Sequence, residues 1–130
     1  MIEWEDDNYE EERTWSWSNE QDERIREVMA GIDDENYSAA FEGWEGYLKT
    51  ALKLPFEAEV SEYQERGPLK CGDKVVVSAF ESVDDLYGII VRIAVGRKEL
   101  YFPLCDLKAI DEKSANYTPL FDYDVWFANR

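Results

Sequence analysis

Four clusters of carboxylates interrupt this chain: Asp33-Asp34-Glu35, Glu81 with Asp84-Asp85, Asp111-Glu112, and Asp122 with Asp124. Their chemistry suits a hard cation. Calcium takes about six to eight oxygens from Asp, Glu, backbone carbonyls and water. Carboxylates crowded together without a counter-ion repel one another by about 1 kcal/mol per close pair in water. A divalent ion is one way to offset that repulsion. Nothing in the chain matches the EF-hand pattern D-x-[DN]-x-[DN]-G with its closing glutamate, so a site has to be assembled from separate segments. Taken singly, each cluster also reads as a solvated loop or a helix cap. Calcium and magnesium both remain open as the ion.

Other chemistries are poorly served. The chain has no histidine, which removes the commonest general base and the commonest transition-metal ligand. Ser-His-Asp and Cys-His arrangements are therefore impossible. Neither G-x-x-x-x-G-K-[ST] nor G-x-G-x-x-G is present, so no phosphate-binding loop is expected. Cys71 precedes Gly72-Asp73 without a base to activate it, and reads as a small buried thiol. Paired carboxylates can hydrolyse glycosides. In a chain this acidic such pairs arise by chance, and a chain this small has little room for a deep sugar cleft. The expectation is a protein that is not an enzyme.

Thirty acidic residues stand against fourteen basic ones, for a formal net charge of −16 and a pI near 4.2. That sign opposes nucleic-acid backbones and anionic membrane surfaces, and favours a cation or a basic protein partner. The longest apolar stretch, Tyr87 to Val95, is broken by Arg92 and is too short to span a bilayer. Residues Met1 to Asp7 lack the basic region and apolar segment of a signal peptide. Cys71 and Cys105 have no metal-type or redox-type spacing. A cytoplasmic location with reduced thiols is expected. Residues 1–23 hold ten acids against Arg13 alone, with Trp4, Trp15 and Trp17 scattered among them. We read 1–21 as an acidic arm and 22–130 as one domain. The arm is either a loosely docked, solvated segment or an acidic-aromatic segment that docks on a basic, apolar partner surface.

The elements that must position these groups are legible in outline. Ser18 with Gln21 resembles a capping box, followed by Ile25, Val28, Met29 and Ile32 at helical spacing and a stop at Gly31. A second helix follows Asp33-Asp34-Glu35, with Tyr37, Phe41, Trp44, Leu48 and Leu52 on one face and an end at Pro55. Glu45 and Lys49 are spaced for an ion pair on it. Phe56, Ala58 and Val60 then alternate with polar residues as in a strand. Further strands are expected over Lys74 to Phe80, Tyr87 to Val95 and Glu99 to Phe102, with Glu81 to Asp85 as an acidic connection. Leu104, Leu107 and Ile110 add a turn and a fifth strand. Thr118-Pro119 reads as a cap and first residue of a short terminal helix through Trp126. The expected fold class is α+β, with N-terminal helices packed on a small antiparallel SH3-like β-barrel and a short C-terminal helix.

From Asp22 onward the chain resembles the small acidic calcium-binding proteins of the cyanobacterial CcbP type. The shared features are Asp22-Glu23-Arg24-Ile25, Gly43-Trp44 with Tyr47-Leu48, and Leu54-Pro55-Phe56 entering a strand. Pro68-Leu69, Gly72-Asp73-Lys74-Val75, Phe102-Pro103-Leu104 with Leu107, and a closing Asp122 and Trp126 follow in order. The resemblance implies helices on a small barrel, and Ca2+ held without an EF-hand by a buffer or sensor. Where the family carries an acidic pair after Tyr-Leu, this chain has Lys49 and Thr50. That departure shifts weight onto Glu81, Asp84 and Asp85. The alternative reading is an acidic SH3-like protein–protein interaction module. A third is an acidic surface that serves only solubility.

Overall fold

The computed structural model describes residues 19–130. The arm's Trp4, Trp15 and Trp17 and the expected cap at Ser18 lie outside the described residues. Helix α1 (Asn19–Val28) and helix α2 (Tyr37–Ala51) come first. The chain leaves α1 before the expected stop, and Gly31 takes the left-handed conformation (φ 78°) that glycine adopts without steric cost. Asn36, rather than the acids before it, caps α2: its side-chain oxygen accepts the Ala39 N–H at 3.1 Å. Ala40, Phe41, Trp44 and Leu48 bury the inner face of α2, as the spacing requires. Tyr37, at the outer end of that stripe, stays exposed. Lys49 and Glu45 pair at 3.5 Å on the neighbouring face.

Five strands follow: β1 (Phe56–Val60), β2 (Lys74–Asp84), β3 (Gly88–Val95), β4 (Lys98–Pro103) and β5 (Leu107–Ala109). They form one antiparallel sheet in the order β4-β3-β2-β1-β5. The order is linear, and barrel closure is not part of this hydrogen-bonded pairing. β2 runs past Phe80 to Asp84, so most of the expected acidic connection is strand, and the turn is confined to Asp85–Tyr87. Two register irregularities, between Val77 and Ala79 and between Phe80 and Ser82, bend β2. A 3₁₀ turn, Leu104–Asp106, carries the chain from β4 to β5.

Helix α3 (Tyr117–Asn129) closes the fold. It starts at Asn116, ahead of the expected Thr118. Pro119 sits in the first turn, where a missing N–H costs nothing. Asn116 is nearly buried. Its side chain accepts the Lys53 N–H at 2.7 Å and donates to the Lys53 carbonyl at 3.3 Å, clamping the link between α2 and β1 onto α3. Against the sheet core of Val60, Val77, Ile89, Val91 and Ile93, the helices contribute Trp44, Leu48, Leu120 and Tyr123. The rings of Trp44 and Trp126 lie 5.6 Å apart, and Phe41 meets Trp126 edge-on at 5.5 Å.

Candidate metal centre

Helix α3 sends its two acids in opposite directions. Residues two apart on a helix lie about 200° apart around its axis. Asp122 faces α1 and is buried. Arg24 donates Nε to its Oδ2 at 2.7 Å and Nη2 to its Oδ1 at 3.1 Å, and Gln21 donates Nε2 to Oδ1 at 3.0 Å. The Asp122 hydrogen bond in turn raises the Arg24 guanidinium above its usual range. Both oxygens of Asp122 are thus committed to holding α1 on α3 across about a hundred residues of sequence.

Asp124 faces the other way, into a groove of about 430 Å³ lined by Ser61, Glu62, Tyr63, Cys105, Asp106 and Phe127. Its Oδ1 is buried and has no hydrogen-bond partner. Burial, then the charges of Asp106 and Glu62, push its carboxyl well above the ordinary range. Asp106 accepts a hydrogen bond at Oδ2 from Gln64 Nε2 at 3.2 Å and a longer contact at Oδ1 from the Cys105 thiol at 3.6 Å. The Ser61 N–H donates to the Asp106 carbonyl at 2.8 Å, and Gln64 also donates to the Glu62 carbonyl. The loop after β1 is therefore fastened to the 3₁₀ turn. Burial raises the Cys105 thiol, so it stays protonated.

The remaining sequence candidates are exposed and dispersed. Asp33 accepts the Glu35 N–H at 3.0 Å, and Asp111 accepts the Lys113 N–H at 2.9 Å; both are local turns. Asp34 and Glu35 line a separate groove of about 360 Å³ with Asp22, Tyr37, Trp126 and Arg130. Glu81 pairs with Arg92 at 3.1 Å across the β2–β3 ladder. Asp84 Oδ1 accepts the N–H groups of Tyr87 at 2.9 Å and Leu86 at 2.8 Å, which hold its carboxyl below the usual range. Asp85 and Glu112 are exposed. Among the described residues, no three Asp, Glu or Cys side chains stand close enough to hold a metal ion as they are. Glu62 and Asp106 were not among the sequence candidates. Glu62 is one of several spaced glutamates (Glu57, Glu59, Glu62, Glu65) and Asp106 stands alone among non-acidic neighbours, so local pattern singles out neither. Only the pairing of β1 with β5 brings them together.

Two solved structures share this fold. One is a calcium-binding protein in its calcium-binding form, with a TM-score of 0.66 at 22% identity, covering 86% of this chain and 92% of that one. The other is Anabaena CcbP, with a TM-score of 0.66 at 21% identity, covering 87% and 93% respectively. A comparison with curated proteins found no match. No helix among the described residues is long and apolar enough to cross a membrane. The sequence profile of the CcbP family, described as calcium binding, matches residues 23–127, nearly the whole folded unit. The chain therefore belongs to the CcbP calcium-binding family, and calcium is the ion that this membership assigns to it.

Proposed function

We propose that this protein is a non-catalytic calcium buffer or sensor that holds Ca2+ without an EF-hand, through carboxylates drawn from separate segments. The observation that carries the reading is the family match across residues 23–127. The donors on offer agree with it. They are carboxylate and carbonyl oxygens, with no imidazole in the chain and a protonated thiol at Cys105. The candidate donors are Asp33, Asp34, Glu35, Glu81, Asp84, Asp85, Asp111 and Glu112 on exposed turns and strand ends, together with Asp124 on α3, while Asp122 serves the fold. Affinity is micromolar or weaker, because loop ligands must be ordered together. The small-barrel reading is supported by the 3₁₀ turn after β4 and by the return of β5 to pair with β1.

Calorimetry of the full chain with calcium is the test. Saturable heats are expected in low-salt buffer, and flat heats at high protein concentration reject the function. Replacing Asp84 and Asp85 with Asn weakens binding if the β2–β3 turn supplies ligands, and unchanged affinity removes that turn from the site. A second reading, an interaction module for a basic partner in the cytoplasm, draws on the exposed Leu86, Tyr87 and Tyr101. Partner retention that is independent of calcium and lost in high salt would favour it.

A further inference from the structure

The groove between α3 and the loop after β1 has the donor chemistry of a cation site. Asp124 Oδ1 is buried there without a hydrogen-bond partner. Asp106 and Glu62 add two further carboxylates to the same groove. The ion pairs among the described residues join Arg24 to Asp122, Arg26 to Asp22, Lys49 to Glu45 and Arg92 to Glu81. None reaches the groove. The donors that hold Asp106, Gln64 Nε2 and the Cys105 thiol, are both neutral. Lys108 lines the adjoining groove with Glu62 and Asp124, yet among the described residues no ion pair reaches Asp124, and a buried carboxylate oxygen without a hydrogen-bond partner beside two other acids is an arrangement that folded chains normally avoid.

We propose that Asp124, Asp106 and Glu62 form a calcium site in this groove, an assignment that rests on the calcium-binding reading above. The three groups come from α3, from the 3₁₀ turn before β5 and from the loop after β1. An ion held among them ties together segments distant in sequence. Asp124 is fixed by its helix and Asp106 by the Gln64 and Ser61 hydrogen bonds. Glu62 is exposed on its loop, and it is the ligand that moves inward to complete the set. The groove's volume leaves room for the waters that fill calcium's remaining positions.

The test uses the full chain with calcium chloride as the only added ligand, read by calorimetry and by thermal unfolding in chelator and in calcium. The wild-type chain is expected to melt higher in calcium. Glu62→Gln, at an exposed position, should leave the ion-free melting temperature unchanged. It should weaken calcium at least about tenfold, the lower end of what even an outer partner costs a metal site. Asp106→Asn should behave alike. Asp124→Asn, which keeps the side chain's shape and removes one ligand oxygen, should lose the calcium-induced rise. If Asp124→Asn does not fold, Glu62→Gln and Asp106→Asn decide. Wild-type affinity in both variants overturns the site while leaving calcium binding intact elsewhere in the molecule. Absence of binding by the wild-type chain overturns the function and the site together.

Discussion

Arg24 meets Asp122 through two hydrogen bonds, while Asp124, two residues further along the helix, has a buried oxygen with none. The first is a pair whose breakage leaves a buried charge with Gln21 as its remaining donor. Arg24→Ala is expected to cost about 3 kcal/mol, at the lower end for a buried pair because Arg24 is itself partly exposed. Urea unfolding in chelator checks this, and a loss under about 0.5 kcal/mol would place the contact with ordinary surface pairs. Tyr123 offers a second measurement. Its hydroxyl oxygen accepts the Ile89 N–H at 3.1 Å, and burial raises its phenol above the usual range. Folded Tyr123 keeps its proton when the unfolded chain has released it. Its contribution is therefore complete below the unfolded value near pH 10 and is lost as pH rises beyond it. Tyr123→Phe should cost about 1–2 kcal/mol at neutral pH, by stranding the Ile89 N–H, and should flatten the alkaline loss.

The turn from β2 into β3 is where strand and helix meet most tightly. Gly88 has a φ of 73°, and a Cβ there would stand 2.6 Å from the Tyr123 hydroxyl and 2.9 Å from a Phe127 ring carbon. Both the backbone conformation and the space are closed to a side chain. Gly88→Ala is expected to cost about 2–4 kcal/mol and to loosen α3 from the sheet. Thermal unfolding with near-ultraviolet circular dichroism would register both, through the Trp44–Trp126 cluster. A variant as stable as wild type, with an unaltered aromatic spectrum, would contradict that packing. α3 itself is the organising element. It meets α1 through Asp122, α2 through the aromatic rings, and the loop after β1 through Asp124.

A formal net charge of −16 on 130 residues bears on the entire molecule. Self-repulsion at that charge destabilises the compact state, and monovalent salt screens it. The ion-free chain should therefore melt several degrees higher in about 0.15 M sodium chloride than in about 0.01 M. Calcium at millimolar concentration should add a further rise that sodium does not reproduce. An identical effect of the two salts at matched ionic strength would reduce calcium to general screening. Any partner carried by the acidic arm is best tested by removing residues 1–18 alone. Asn19 already belongs to α1, and Gln21 is bound to Asp122.

The local patterns of the chain were enough to place both first helices, the strand positions and the Glu45–Lys49 pair. Helical and strand periodicity is a property of neighbours, and the 45% hydrophobic content keeps those periods visible under the charge. The family was legible too, because it rests on ordered residues rather than on contacts. The capping residues Asn36 and Asn116 and the length of β2 were less so. Acids and Thr-Pro imitate helix starts, and Glu81 to Asp84 look like a loop until β3 pairs with them. The division of labour between Asp122 and Asp124 belonged wholly to tertiary structure. Only the packing of α3 between α1 and the β1–β5 edge gives one carboxylate a guanidinium and leaves the other facing Glu62 and Asp106. Which acids meet depends on how distant segments dock, and that is decided by burying the apolar core, not by the acids themselves.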